Sequence, residues 1–143
     1  MKEELTVEQA DLIDRNEISY TNLNEEEEIY KENIIDHYKN PHNKKELVNY
    51  TFKRRELNPL CGDEITIYLE TEEDKIVDVS FQGNGCAISQ ASVSLLTDHI
   101  KGMTTKEIKL LTDKNIFSLL GIPISYTRLK CALLSHKALE EQK

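Results

Sequence analysis

The chain has 143 residues, of which 38% are hydrophobic and 31% charged, and its formal net charge is −8. These values are typical of one folded, soluble domain and exclude collagen-like and wholly disordered proteins. The sequence contains no run of about 18 apolar residues and no secretory signal pattern. We therefore expect a cytoplasmic protein without a membrane partner.

The negative charge is concentrated at the N-terminus. Residues 1–28 contain ten acidic and two basic side chains, so the remaining residues carry 16 of each sign. A neutral body lacks the clustered Lys and Arg that bind phosphate backbones, and no nucleic-acid partner is expected. The composition of 1–28, which ends in four glutamates, predicts an acidic flexible extension. The folded domain is then predicted to span 29–143.

The first predicted helix follows the acidic run. Ile29, Ile34 and Tyr38 recur at helical spacing. Asn40-Pro41 ends the helix, because the residue before a proline disfavours helical geometry.

Three strands are predicted next, over 50–57, 64–71 and 75–82. The middle strand alternates Ile65, Ile67 and Leu69 with more polar residues, which is typical of a strand with one buried face. The acidic turn 72–74 predicts an antiparallel hairpin between the second and third strands.

The rest of the chain is predicted to be helical. One helix is expected over 86–101, with Gly102 at its C-terminal end. Thr104 and Glu107 have the spacing of a capping box at the start of a shorter helix, and a last helix is expected over 126–141. Strands followed by helices predict an α+β fold, in which a three-stranded antiparallel sheet packs against several helices.

The segment Asn58-Pro59-Leu60-Cys61-Gly62-Asp63 places a thiol two residues before a carboxylate. Pro59 stiffens the approach, and Gly62 permits backbone angles closed to other residues, so both side chains can turn toward one metal ion. Taken alone, the same residues are also compatible with a small apolar side chain followed by a turn former.

The other two cysteines lie at predicted helical positions. Cys86 follows Gly83-Asn84-Gly85 at the start of a helix, where the helix dipole lowers the pKa of a thiol and favours metal binding. Cys131 lies among leucines, next to Lys130 and near Arg128. Each cysteine alone is also compatible with burial in a core. Three cysteines in a reducing compartment favour a metal or catalytic role over disulfides.

The sequence assigns structural roles to the histidines. His37 lies in the first predicted helix, His42 in a loop and His99 near a helix end. His136, five residues after Cys131, is about 140° around the helix from the thiol. The four are His37, His42, His99 and His136.

The three cysteine segments together resemble the U-type iron–sulfur cluster assembly scaffolds, a family that comprises IscU, SufU and the N-terminal domain of NifU. The specific motifs are Asn-Pro-x-Cys-Gly-Asp at 58–63 and Gly-Cys-Ala-Ile-Ser at 85–89. The resemblance begins at Ile29-Tyr30, continues through 36–41 and covers the chain to near its end. It implies the NifU N-terminal or IscU-like fold.

The resemblance also implies a site. It makes Cys61, Asp63, Cys86 and Cys131 the ligands of iron or of a transient [2Fe–2S] cluster, with zinc as the alternative occupant, and Cys61 the residue that accepts sulfur. A cysteine desulfurase and iron–sulfur acceptor proteins are the implied partners, and a monomer or weak dimer is expected.

The last cysteine combines features of two branches of the family. IscU proteins have a histidine where Lys130 stands, whereas Lys130 with Arg128 resembles SufU. The 45-residue step from Cys86 to Cys131 lacks the usual SufU insertion. The IscU chaperone-recognition segment Leu-Pro-Pro-Val-Lys is replaced by 124–128, so handover to a dedicated Hsp70 chaperone is not expected.

Three functions follow from these features. The first is a scaffold that accepts sulfur from a cysteine desulfurase, assembles a labile [2Fe–2S] cluster and passes it to acceptors; it is a carrier more than a turnover enzyme. The alternative is a zinc-dependent sulfurtransferase, against which the missing insertion counts. A purely structural zinc domain is disfavoured, because closed structural sites use cysteine and histidine.

Overall fold

The computed structural model describes residues 24–59 and 62–140. A three-stranded antiparallel sheet, ordered β1-β2-β3, packs against helices. The strands are β1 (Phe52–Asn58), β2 (Asp63–Glu72) and β3 (Lys75–Asn84). The α-helices of the described residues are α1 (Glu25–Lys39), α2 (Ala87–Ile100), α3 (Thr105–Lys109), α4 (Asp113–Leu120) and α5 (Leu129–Glu140). The predicted α+β fold class is confirmed, and within these ranges no helix is long and apolar enough to cross a membrane.

Helix α1 begins four residues earlier than predicted. The Asn24 side chain accepts a hydrogen bond from the Glu27 amide at 2.8 Å, and Glu27 Oε1 accepts one from the Asn24 amide at 3.2 Å. This capping box holds the four glutamates in the first helical turn, where negative charge is favourable toward the helix dipole. Glu25, Glu26, Glu27 and Glu28 therefore belong to the helix and not to the extension. Residues 1–23 of the predicted extension lie outside the described residues.

The hairpin between β2 and β3 is confirmed. Glu72 pairs with Lys75, so Glu73 and Asp74 form a two-residue turn. Both turn residues have positive φ angles, 51° and 66°. A type I′ turn of this kind matches the twist of the strands. The tight turn fixes the register of β2 and β3. At the opposite end of the hairpin, β3 leads into the start of α2.

The main core lies between one face of the sheet and the helices α2 and α5. Ile65, Ile67 and Leu69 of β2 are fully buried, as the predicted alternation requires. They pack in one cluster with Val93 of α2 and Leu134 of α5. Burial of each such side chain contributes roughly 1.5–3 kcal/mol relative to exposure. These contacts fix the two helices that carry Cys86 and Cys131 against the sheet.

A second core lies on the outer side of α2. Ile34 of α1 packs there with Ile88 and Ala91 of α2 and with Leu120 of α4. Helix α1 is thereby fixed across α2, which places the loop after α1 beside the C-terminal end of α2.

The C-terminal half differs from the prediction at one helix. The capping box of Thr104 and Glu107 is confirmed, with bonds of 2.9 and 3.1 Å. Helix α4 was not predicted, because its first turn is polar; the Thr112 amide donates to Asn115 Oδ1 at 2.8 Å and caps it. A short 3₁₀ helix, Tyr126–Arg128, precedes α5.

Candidate metal centre

Three of the four predicted ligands come together where the sheet meets α2 and α5. Asp63 is the first residue of β2, Cys86 is the N-cap residue of α2, and Cys131 lies in the first turn of α5. A carboxylate oxygen and the two sulfurs all lie within 4.8 Å of one another. The fourth predicted ligand, Cys61, lies outside the described residues.

The turn before β2 fixes Asp63. Asn58 and Asp63 are paired in the register of β1 and β2, and the Gly62 amide donates to the Asn58 carbonyl at 2.8 Å. Gly62 has a φ of 76°, a conformation that side chains other than glycine rarely adopt. The Asp63 side chain is consequently directed inward, and only 3% of the residue is exposed.

The Asp63 carboxylate contacts Cys86 through both oxygens. Oδ1 accepts a hydrogen bond from the Cys86 amide at 3.2 Å, and Oδ2 lies 3.7 Å from the Cys86 sulfur. The amide is at the N-terminus of α2, where an anion is favoured. The carboxylate is therefore oriented by the backbone while one oxygen remains next to the thiol.

Gly85 makes this close approach possible. A Cβ atom at this position would lie 2.6 Å from Asp63 Oδ1 and 2.6 Å from Ser89 Oγ. Both distances are well below van der Waals contact, so any larger residue would displace the carboxylate. The glycine of the sequence motif thus has a steric function in the site.

The pKa of Cys86 is lowered to about 7. Hydrogen bonding with the Cys131 thiol is the largest cause, and a hydrogen bond with the Ser89 backbone and the charge of Arg128 act in the same direction. Burial and the Asp63 charge oppose them. A substantial fraction of Cys86 is therefore thiolate at neutral pH, which is the form that binds metals and attacks sulfur.

Cys131 is 1% exposed and is held by polar neighbours. Asn58 Nδ2 lies 3.8 Å and the Arg128 guanidinium 3.7 Å from its sulfur. Helix α5 is tied to α2 here, because the Ser92 hydroxyl donates to the Ala132 carbonyl at 2.7 Å. Two N–H groups are thus directed at this sulfur. Lys130, by contrast, is exposed.

The donor set fits a metal or an iron–sulfur cluster. Two sulfurs suit zinc and iron, whereas the carboxylate is a harder ligand that fits zinc and binds a cluster less strongly than a thiolate would. Cys86 is only partly buried and gives access from solvent. The arrangement is that of a reactive sulfur site with one weak ligand.

His136 has the structural role that the sequence assigned. His136 contacts Asp113 Oδ1 through Nδ1 at 2.9 Å and the Leu111 carbonyl through Nε2 at 3.1 Å, and it fixes the start of α4 to α5. His99 is exposed on α2.

The other two histidines converge in a way that sequence reasoning missed. His37 on α1 and His42 in the following loop have ring centroids 4.3 Å apart, and His42 Nδ1 lies 2.5 Å from Asp98 Oδ2 on α2. Burial, and then the charge of His42, lower the pKa of His37. The only sequence signal was the spacing of five across Asn40-Pro41, which bends the chain back toward α1.

The fold and the site define a class of small α+β proteins with a mixed thiol and carboxylate centre, and comparisons with known proteins agree. The model of the NifU-like N-terminal domain matches residues 29–142. The zinc-dependent sulfurtransferase SufU of Bacillus subtilis is 36% identical over 130 residues, covering 79% of this chain and 88% of SufU. The iron–sulfur cluster assembly scaffold protein IscU of Streptococcus pyogenes is 35% identical over 132 residues, covering 79% and 81%.

A solved structure supports the same relationship. A protein from Fervidobacterium islandicum, described as an iron–sulfur cluster assembly scaffold for the SUF system, superposes with a TM-score of 0.67 at 36% identity and covers 79% of this chain and 95% of its own. The chain belongs to the NifU-like N-terminal domain family, and the resemblance inferred from its cysteine motifs is confirmed.

Proposed function

We propose that this protein is an iron–sulfur cluster assembly scaffold. Cys61 receives sulfur from a cysteine desulfurase, an external thiol or protein reductant supplies the two electrons that convert each persulfide sulfur to sulfide, a [2Fe–2S] cluster is assembled on Cys61, Asp63, Cys86 and Cys131, and the cluster passes to acceptor proteins. In the sulfur step, the Cys61 thiolate attacks the outer sulfur of the desulfurase persulfide, and the desulfurase cysteine leaves as a thiolate. Relatives named IscU are called scaffold proteins.

One observation carries the proposal: the Asp63 carboxylate and the sulfurs of Cys86 and Cys131 share one site. A scaffold must hold a cluster and then release it. Sulfur ligands supply the affinity, and the single oxygen ligand is the weaker bond from which release can begin. A closed site of four thiolates would serve a permanent cluster better.

A groove beside the site supports access by a partner. It encloses about 400 Å³ and is bounded by Asn58 and Pro59 on one side and by Lys130 and Lys137 on the other. Asn58 and Pro59 lead directly into the segment that contains Cys61. Residues that line the groove thus adjoin, in the sequence, the segment that receives sulfur in this proposal.

The second candidate function is zinc-dependent sulfur transfer. The Arg128 guanidinium lies 3.7 Å from the Cys131 sulfur, and its charge lowers the pKa of Cys86, so a positive group supports the thiol pair without any histidine ligand. The relative from Bacillus subtilis is named for this activity. The same four residues would hold the zinc ion, which would keep the thiols deprotonated at neutral pH until Cys61 receives sulfur.

Anaerobic reconstitution with iron, cysteine, a desulfurase and a thiol reductant separates the two functions. The scaffold proposal predicts the visible absorption of a [2Fe–2S] cluster and its transfer to an apo-ferredoxin. Glu64→Ala is the matched control, because Glu64 is the adjacent acid and pairs instead with Arg55. It should assemble the cluster normally, whereas Cys86→Ala should not. A colourless protein that retains zinc and accelerates the desulfurase would exclude the scaffold function and support sulfur transfer.

A further inference from the structure

A second group of metal-binding side chains lies at the C-terminal end of α2, where the loop after α1 packs against it. One ligand atom each of His37, His42 and Asp98 lies within 4.8 Å of the others. We propose that these three residues bind one divalent transition-metal ion, of the class of Zn²⁺, Co²⁺ or Fe²⁺, at a site separate from the thiols.

The spacing is close to that of a bound site. Metal–ligand bonds of about 2 Å place neighbouring ligand atoms roughly 3–4 Å apart. The side chains of His42 and Asp98 are 47% and 44% exposed, so they can rotate toward an ion, whereas His37 is buried and fixed. A small rotation of two surface side chains closes the site around the buried imidazole.

The imidazole of His37 is oriented by a neighbouring hydroxyl. Ser94 Oγ lies 2.7 Å from His37 Nδ1 and accepts a hydrogen bond from the His42 amide at 2.8 Å. A histidine that binds a metal through one nitrogen usually has the other held by a polar group in this way.

The carboxylate is held by the loop. Asn43 Nδ2 donates to Asp98 Oδ1 at 2.9 Å and to Thr97 Oγ1 at 3.0 Å, and Oδ2 is left facing His42. Asn43 adopts a φ of 61°, and its carbonyl accepts a hydrogen bond from the Phe81 amide at 2.9 Å. The loop is thus fixed to both the sheet and α2, so the backbone that carries His42 stays next to Asp98 while the exposed ends of the two side chains can still adjust to an ion.

The donor types select the ion. Two imidazoles and one carboxylate suit Zn²⁺, Co²⁺ and Fe²⁺, whereas Mg²⁺ and Ca²⁺ prefer all-oxygen sites and Cu⁺ prefers sulfur. Three protein ligands leave a coordination position for water.

The second site is distant from the first. Asp98 lies 12 residues beyond Cys86 along α2, which corresponds to a rise of about 18 Å. It also contains no sulfur, so its metal complex lacks sulfur-to-metal charge transfer. The two sites can therefore be titrated separately in one protein.

Anaerobic titration of the untagged, reduced, metal-free full chain with Co²⁺ tests the proposal. Co²⁺ at the thiol site gives intense near-ultraviolet charge-transfer absorption. The second site should bind a further equivalent that adds only weak visible bands, and calorimetry should count it independently. If the thiol site failed to bind Co²⁺, the sulfur-free signal of the second site would still appear. Failure of the proposed scaffold function and failure of the second metal site can therefore be distinguished.

Three variants provide the comparison. His42→Gln and Asp98→Asn should weaken the sulfur-free equivalent by more than about tenfold, since loss of outer-shell partners alone costs that much. Both positions are exposed, and circular dichroism checks the fold. His99→Gln removes an exposed imidazole next to Asp98 and should bind as the wild type does. The proposal is wrong if the wild type binds no sulfur-free equivalent, if both site variants retain it, or if His99→Gln loses it equally.

Discussion

The carboxylate of Asp63 contacts Cys86 at two points: Oδ1 lies 3.2 Å from the amide nitrogen and Oδ2 lies 3.7 Å from the sulfur. The backbone bond fixes the carboxylate, and the second contact places an oxygen donor where a thiol must bind its metal. The oxygen is therefore a built-in member of the site, and in the proposed scaffold function its weak binding to a cluster would determine how long the cluster stays.

Asp63→Ala should lengthen the lifetime of the reconstituted cluster, because it removes the weak ligand from which release begins. We expect transfer to an apo-ferredoxin to slow by about tenfold, equivalent to a barrier about 1.4 kcal/mol higher. The decay of the cluster's visible absorption in the presence of the acceptor measures this. Glu64→Ala should transfer at the wild-type rate. Faster loss of the cluster from Asp63→Ala would contradict the role of Asp63 in release.

Gly85→Ala should disable the site without unfolding the protein. The added methyl would lie 2.6 Å from Asp63 Oδ1 and 2.6 Å from Ser89 Oγ, and the Ser89 hydroxyl donates to the Cys86 carbonyl at 3.1 Å, so the Cys86 thiol must move as well as the carboxylate. We expect cluster yield to fall by about tenfold or more, as for loss of a ligand's orientation, with the secondary structure by circular dichroism unchanged.

Gly102→Ala is the control for that experiment. Gly102 has a φ of 91° and open space around it, so alanine strains the backbone without touching the site. It should lower the free energy of unfolding by about 1 kcal/mol and leave cluster assembly intact. Equal cluster loss in both variants would show that the effect of Gly85→Ala is general destabilisation.

Alkylation of Cys86 in the metal-free chain should depend on pH with a midpoint near 7, the value to which its pKa is lowered. Because hydrogen bonding with Cys131 is the largest cause, Cys131→Ala should move the midpoint toward the ordinary value of about 8.5. Iodoacetamide labelling, read as the rate for the Cys86 peptide by mass spectrometry, measures both. An unchanged midpoint in Cys131→Ala would exclude the thiol pair as the cause.

The same shift links pH to stability. The folded state has the lower Cys86 pKa, so the thiolate stabilises the fold. That stabilisation is fully present above the pKa of the unfolded cysteine, about 8.5, and is lost as the pH falls through about 7. Urea denaturation of the metal-free chain should therefore show a lower free energy of unfolding at pH 6 than at pH 9. The difference between the two pH values should be smaller in Cys131→Ala than in the wild type.

The sequence predicted the parts of the fold that depend on local pattern. The alternation of Ile65, Ile67 and Leu69 identified β2 because one face of the strand is buried. The start of α1 was missed because four consecutive glutamates are typical of a solvated tail, and only the hydrogen bonds of Asn24 show that they are capped.

The site residues also fall into those that local sequence predicts and those that depend on tertiary packing. The glycine-flanked motifs pointed to Asp63 and Cys86, since the neighbouring glycines determine the local backbone geometry at both residues. The convergence of His37 and His42 on Asp98 could not be predicted, because it depends on how α1 packs across α2, more than 50 residues away in the chain. Tertiary packing, which leaves no local pattern, brings these side chains together.

The turn of the β2–β3 hairpin offers a way to stabilise the protein without changing the site. Glu73 has a φ of 51°, an unfavourable conformation for glutamate that asparagine adopts more readily. Glu73→Asn should raise the free energy of unfolding by about 0.5–1 kcal/mol, part of the roughly 1–2 kcal/mol cost of left-handed geometry. Urea denaturation with an unchanged m-value measures this.

The adjacent Glu72 provides the matched control, because it lies in β2 and is paired with Lys75. Glu72→Asn should not stabilise the protein, since asparagine is disfavoured in strands. The turn is nine residues along β2 from Asp63, or about 30 Å, so cluster yield should equal that of the wild type in both variants. Equal stabilisation by both substitutions would point to removal of negative charge as the cause, whereas stabilisation by Glu73→Asn alone identifies the strained turn.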